Sequence, residues 1–124
     1  YPAVNDKYQV LPCGGAMGEG VGPLLVRRED APRAVSADSV VAHPGKYTTA
    51  YALFRLFHPA VTQLRTFVFS AIENAVLRND TTHGLLIHEG RFTYRQRHLF
   101  AEERFFTTPA TRAHPHKANP PRRD

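Results

Sequence analysis

The feature that most constrains this chain is an alternation of short apolar runs with helix-patterned segments between residues 39 and 89. Ser39 to Ala42 (SVVA) is a strand-like run that stops at Pro44-Gly45, as a buried strand entering a turn does. Ala50, Leu53, Phe54 and Phe57 then recur at i, i+3, i+4 and i+7, with Thr48 or Thr49 placed to cap the helix and Pro59 beyond its end. A second strand is predicted over Thr66 to Phe69. Ser70 and Glu73 form a capping-box pattern ahead of a helix running to about Arg78. Leu85, Leu86 and Ile87 make the third strand, ending at His88-Glu89-Gly90. The sum is a parallel β-α-β-α-β core with right-handed crossovers, an α/β fold.

That order has a functional consequence. Ligands of parallel open sheets bind outside the carboxyl ends of the strands, so the loops His43 to Thr49 and His88 to Tyr94 are expected on one edge. Ahead of this body, residues 1–38 form a glycine-rich crossover segment in which CGGAMGEGVG has five glycines in ten residues and PLLVRRE reads as a strand. The predicted lobe covers 1–99, with 90–99 irregular. Residues 100–124 are expected to be irregular to disordered, since TTPATRAHPHKANPPRRD is rich in Pro, Thr and Arg with no apolar period.

Composition excludes several classes of function. The 124 residues and 42% hydrophobic content suit one core. A single cysteine, Cys13, rules out a disulfide framework and offers no cysteine metal site. No run approaches about 18 apolar residues, so no membrane span is expected. The net charge is +5, but residues 107–124 carry +3 of it, so the basicity belongs to the tail and does not mark a nucleic-acid surface. Arg91, Arg95 and Arg97 beside Phe92 and Tyr94 imitate such a face in a run that is short and matches no recognised motif. His98, His114 and His116 lack acidic partners at ligand spacing, so no metal is expected. There is no Gly-x-Ser-x-Gly elbow, and Cys13 has no neighbouring base.

Two motifs carry chemistry. PGKYTTAY (44–51) joins a turn to a helix N-terminus, where free N–H groups, the dipole and two hydroxyls suit an anion. Plain helix capping by a threonine explains the same pattern. LLIHEGRFTY (85–94) puts His88 directly after a buried strand at the ligand edge, and histidine can take a proton near neutral pH. Glu89 either orients it or faces solvent, and a polar strand terminus is the simpler reading of both.

Together, LPCGGAMGEGVGPLLVRRE, VVAHPGKYTTAYALFRLF and GLLIHEGRFTY resemble, in order and spacing, the 1,4-dihydroxy-6-naphthoate synthase family of the futalosine menaquinone pathway, which is related to chorismate dehydratase. The resemblance runs from about Tyr1 to about Leu99. It implies one lobe of a periplasmic-binding-protein type II-like fold and a cytoplasmic lyase. The lyase would cleave a carbon–carbon bond in cyclic dehypoxanthinylfutalosine to give 1,4-dihydroxy-6-naphthoate, without metal or organic cofactor. The family's proton-accepting histidine matches His88, and its paired substrate-contacting threonines match Thr48 and Thr49. The implied partner is a small aromatic carboxylate, with neither nucleic acid nor membrane, and a homo-oligomer is left open.

The sequence also departs from the family. It lacks tryptophan and the segments that complete the other lobe, so a partial or truncated chain is expected, and Thr82-His83 stands where an acidic residue is common. Two alternatives stay open: a small-carboxylate solute-binding protein of the same fold, and a fragment without function.

Overall fold

The structure is a computed structural model, and it describes residues 4–15 and 21–105. Among the described residues, five strands form one sheet: β1 (Leu24–Arg28), β2 (Val40–His43), β3 (Gln63–Thr66), β4 (His83–Leu86) and β5 (Leu99–Arg104). Three helices accompany them: α1 (Thr49–Phe57), α2 (Ile72–Leu77) and the single-turn α3 (Gly90–Thr93). The strand order is β3-β2-β4-β1-β5. β2 pairs in parallel with both β3 and β4, as the alternation predicts. β1 runs antiparallel to β4 and to β5, so β5 shares the direction of the parallel strands and β1 alone opposes them.

The sheet is covered on both faces, which is why its central strands read as continuous apolar runs and not as alternating ones. On one side Leu24, Val26, Ala42 and Leu86 pack against Ile72 and Val76 of α2, with Tyr94 and Leu99 closing the cluster. On the other, Leu25, Val41 and Leu85 pack against Phe54 of α1, Val61 and Phe105. Successive side chains of one strand thus feed two separate cores. Gly84, in the middle of β4, lets α2 lie close: a Cβ there would stand 2.8 Å from Ile72 Cγ2 and 2.8 Å from Val76 Cγ2.

Four expectations are corrected. The second strand is Gln63–Thr66, ending where it was expected to begin. The run Phe67-Val68-Phe69 leaves the sheet after the Phe67 N–H donates to His43 O, and Val68 and Phe69 are exposed. Ser70 does not cap α2; the cap position is Ala71, which makes no side-chain bond, and a 3₁₀ turn over Phe69–Ala71 precedes it. Residues 90–99 are not irregular, since α3 is followed by a 3₁₀ turn over Tyr94–Arg97. Residues 99–104 form β5, although 100–124 reads as unstructured. Its sequence, LFAEER, hides the strand because its two glutamates are satisfied by distant partners. Arg27 Nε lies 3.0 Å from Glu102 and His58 Nε2 2.6 Å from Glu103. The tail from residue 106 onward lies outside the described residues.

Candidate functional site

β2, β3 and β4 end at one edge of the sheet, and their last residues bring a histidine, a threonine and a second histidine-bearing turn together there. At the end of β2, the Pro44-Gly45 turn needs glycine, because Gly45 has φ of 140°, a conformation other residues rarely adopt. The turn delivers Thr48 as the N-cap of α1. The Thr48 hydroxyl accepts from the Tyr51 N–H at 3.3 Å and donates to Gly45 O at 2.7 Å. Capping therefore occupies the Thr48 proton, while Thr49, the first residue of the helix, is exposed. A helix leaves its first N–H groups without internal partners, and this cap satisfies that of Tyr51, leaving those of Thr49 and Ala50.

His43, which no sequence motif singles out, lies at the centre of this edge. It is 4% exposed, and its Nδ1 accepts from the Gly45 N–H at 3.1 Å. That leaves the neutral ring's proton on Nε2, facing Thr66 Oγ1 at 3.3 Å. The Tyr51 ring stacks at a tilt, 4.7 Å between centroids. Burial pushes the His43 pKa below its ordinary value, so this imidazole is neutral at physiological pH. It ties the ends of β2 and β3 to the first turn of α1. The only sign of it in the sequence is a histidine between a strand and a Pro-Gly turn, which carries no distinctive spacing.

His88 follows β4, the strand next to β2. It is exposed and has φ of 59°. A left-handed backbone costs a non-glycine residue roughly 1–2 kcal/mol, so the surroundings must hold it. Asn79 shares this conformation just past the end of α2, the ordinary place for it. His88 is not at a helix end of that kind. Its ring meets that of Phe69 edge-on, with centroids 5.0 Å apart. Glu89 is exposed, and no described hydrogen bond joins it to His88. Tyr47, Val68, Phe69 and Phe92 are all exposed in the turns and short helices at this edge, Tyr47 by 81% and Phe92 by 73%, and they give it an apolar, aromatic character.

The arginines that imitate a nucleic-acid face are engaged within the chain. Arg97 donates to Glu73 and to the Asn74 side chain, and Arg95 Nε donates to the Tyr94 hydroxyl. Among the described residues no group of three His, Cys, Asp or Glu is placed to hold a metal. His114 and His116 lie outside those residues. No described helix is long and apolar enough to cross a membrane.

Residues 1–103 match the family described as Menaquinone biosynthesis. A Streptomyces coelicolor protein named "1,4-dihydroxy-6-naphtoate synthase" is 42% identical over 101 residues, covering 75% of this chain and 34% of that protein. A Thermus thermophilus protein of the same name is 40% identical over 94 residues, covering 76% of this chain and 34% of that protein. The chain spans about a third of the length of these relatives. The crystal structure of protein AF1704 from Archaeoglobus fulgidus superposes with a TM-score of 0.63 at 36% identity, over 84% of this chain and 38% of that one. With a match across residues 1–103, the chain belongs to the menaquinone biosynthesis family.

Proposed function

We propose that this chain is the lobe of a 1,4-dihydroxy-6-naphthoate synthase that carries the proton-accepting histidine, with His88 as the base and Thr48 and Thr49 as substrate contacts. The observation that carries this reading is the position of His88, which leaves the parallel strand next to the one that feeds the Thr48-capped helix. Ligands of parallel sheets bind at that edge.

The chemistry suits these groups. Breaking a carbon–carbon bond next to a carbonyl requires a base to collect a proton from carbon or hydroxyl, and a neutral imidazole does this without a metal. The N–H groups of Thr49 and Ala50, with the exposed Thr49 hydroxyl, suit the substrate's aromatic carboxylate. Thr48 contributes mainly by holding that helix turn in place. The exposed aromatic side chains beside His88 suit a flat ring. The same reading makes the protein a cytoplasmic enzyme.

The test is turnover of cyclic dehypoxanthinylfutalosine by the chain, followed as release of 1,4-dihydroxy-6-naphthoate. His88→Ala is expected to lower kcat by roughly 10²–10⁴-fold while substrate still binds. A His88→Ala protein that forms product at the parent rate would remove the base assignment. Substrate binding with no turnover by the parent chain would turn the reading toward a carboxylate-binding protein.

A further inference from the structure

Glu73 does not play the capping role its spacing from Ser70 suggests, and its actual surroundings give it another. It is 7% exposed on α2, and its Oε2 accepts from Arg97 Nη1 at 2.6 Å. Arg97 also donates through Nη2 to Asn74 Oδ1 at 2.5 Å. The other carboxylate oxygen lies against the backbone of Gly90, where an added Cβ would stand 2.7 Å from Glu73 Oε1. The turn after His88 thus rests directly on this carboxylate, and a side chain at position 90 would push the carboxylate aside.

Gly90 is two residues past His88, and Arg97 closes the 3₁₀ turn that follows α3. One side chain of α2 therefore meets the backbone next to the histidine and ties down the far end of the same segment. One turn of chain before Glu73, Phe69 sets its ring edge-on to the His88 imidazole. The 3₁₀ turn and α2 thus grip the ring of His88 and the backbone beside it from one side. We propose that Glu73 is a positioning residue for His88, acting through Gly90 and held in place by Arg97, and that it fixes the direction in which the imidazole faces substrate. This rests on His88 as the base. It predicts an effect on rate and not on substrate affinity, because Glu73 itself lies beneath the turn.

The test uses the 124-residue chain labelled with 15N, reading the imidazole cross-peaks of His88, which are identified by their loss in His88→Gln. Glu73→Ala is expected to move those peaks and the backbone amides of residues 88–92 while the His43 and His58 ring peaks stay in place. Glu73→Gln, nearly the same shape and still an acceptor for Arg97, should bring the His88 peaks most of the way back. Should Glu73→Ala fail to fold, Arg97→Met carries the same readout from a half-exposed position. His88 peaks and 88–92 amides at their parent positions in the folded variant overturn the proposal. In turnover, Glu73→Ala should lower kcat about tenfold with KM unchanged, the mark of misaligned chemistry. A parent chain without turnover would count against the proposed function, while the ring peaks would still decide whether Glu73 positions His88.

Discussion

At the scale of single residues, two positions show how closely the helices are fitted to the sheet. Gly84 lies under Ile72 and Val76, each with a methyl 2.8 Å from where a Cβ would be, and both methyls belong to β-branched side chains with few rotamers to retreat into. Gly84→Ala is therefore expected to destabilise the fold by about 1–3 kcal/mol, through overpacking and not through backbone strain. Urea unfolding would read it as a lower midpoint at unchanged slope. A midpoint equal to the parent's would mean that α2 does not lie so near. Thr48 is the second position. Its hydroxyl satisfies the Tyr51 N–H and anchors to Gly45 O. Thr48→Ala should cost about 1 kcal/mol as an N-cap loss, with Thr48→Ser close to the parent. Thr49→Ala, at an exposed helix position, should leave stability almost unchanged and, on the function proposed above, weaken substrate binding, which separates the two threonines by experiment.

At the scale of elements, β5 covers the free edge of β1 and is held there by a buried charge. Arg27 is 5% exposed, and its Nε donates to Glu102 on β5 at 3.0 Å. Its Nη1 donates to the carbonyls of Arg28, Glu29 and Ala31. Glu102→Ala takes away the one carboxylate that, among the described residues, pairs with this desolvated guanidinium and should cost about 2 kcal/mol. Glu102→Gln, still an acceptor, should cost less, and equal losses for the two would show that the charge is not what matters. A chain ending at Leu99 should lose its cooperative melt altogether, because β1 would then expose its backbone and Phe105 would leave the core. This strand was the part of the fold hardest to read in the sequence. β2, β4 and α1 announce themselves through local signals: unbroken apolar runs, a stripe at Ala50, Leu53, Phe54 and Phe57, and a capping threonine. β5 depends on partners far along the chain, Arg27 for Glu102 and His58 for Glu103, and no window of local pattern contains them. The site divides in the same way. His88 and the threonines stand at strand and helix ends that spacing reveals, whereas His43 acquires its role only when β3 brings Thr66 beside it.

At the scale of the whole molecule, two histidines link folding to pH. His43 and His83 are 4% and 0% exposed, one at each end of the parallel strands. Burial lowers the pKa of both below the ordinary 6.5. For His83, Arg27 adds to the fall, while the backbone of Arg33 and Pro32 and the Glu102 carboxylate pull the other way without overcoming it. The Thr82 hydroxyl donates to Val40 O at 2.9 Å, so its contact with His83 Nδ1, also 2.9 Å, is a bond the ring donates. In the neutral ring Nε2 is buried without a described hydrogen bond, and the backbone of Arg33 and Pro32 would accept from the ring only once it is charged. A second proton would have to enter there, in a desolvated site shared with Arg27. As pH falls through 6.5 the unfolded chain takes up protons at both histidines while the folded chain does not. Their contribution to stability is therefore complete above about pH 6.5 and is lost progressively below it, down to the lowered folded values. Urea midpoints measured from about pH 8 to about pH 5 should fall with acid, most steeply once below the ordinary histidine value. His83→Leu, which keeps an apolar side chain of similar size among Leu85 and Val41, should flatten that fall even though it gives up the bond to Thr82. An unaltered slope in His83→Leu would mean that its ring is open to water and protonates in the folded chain as it does in the unfolded one.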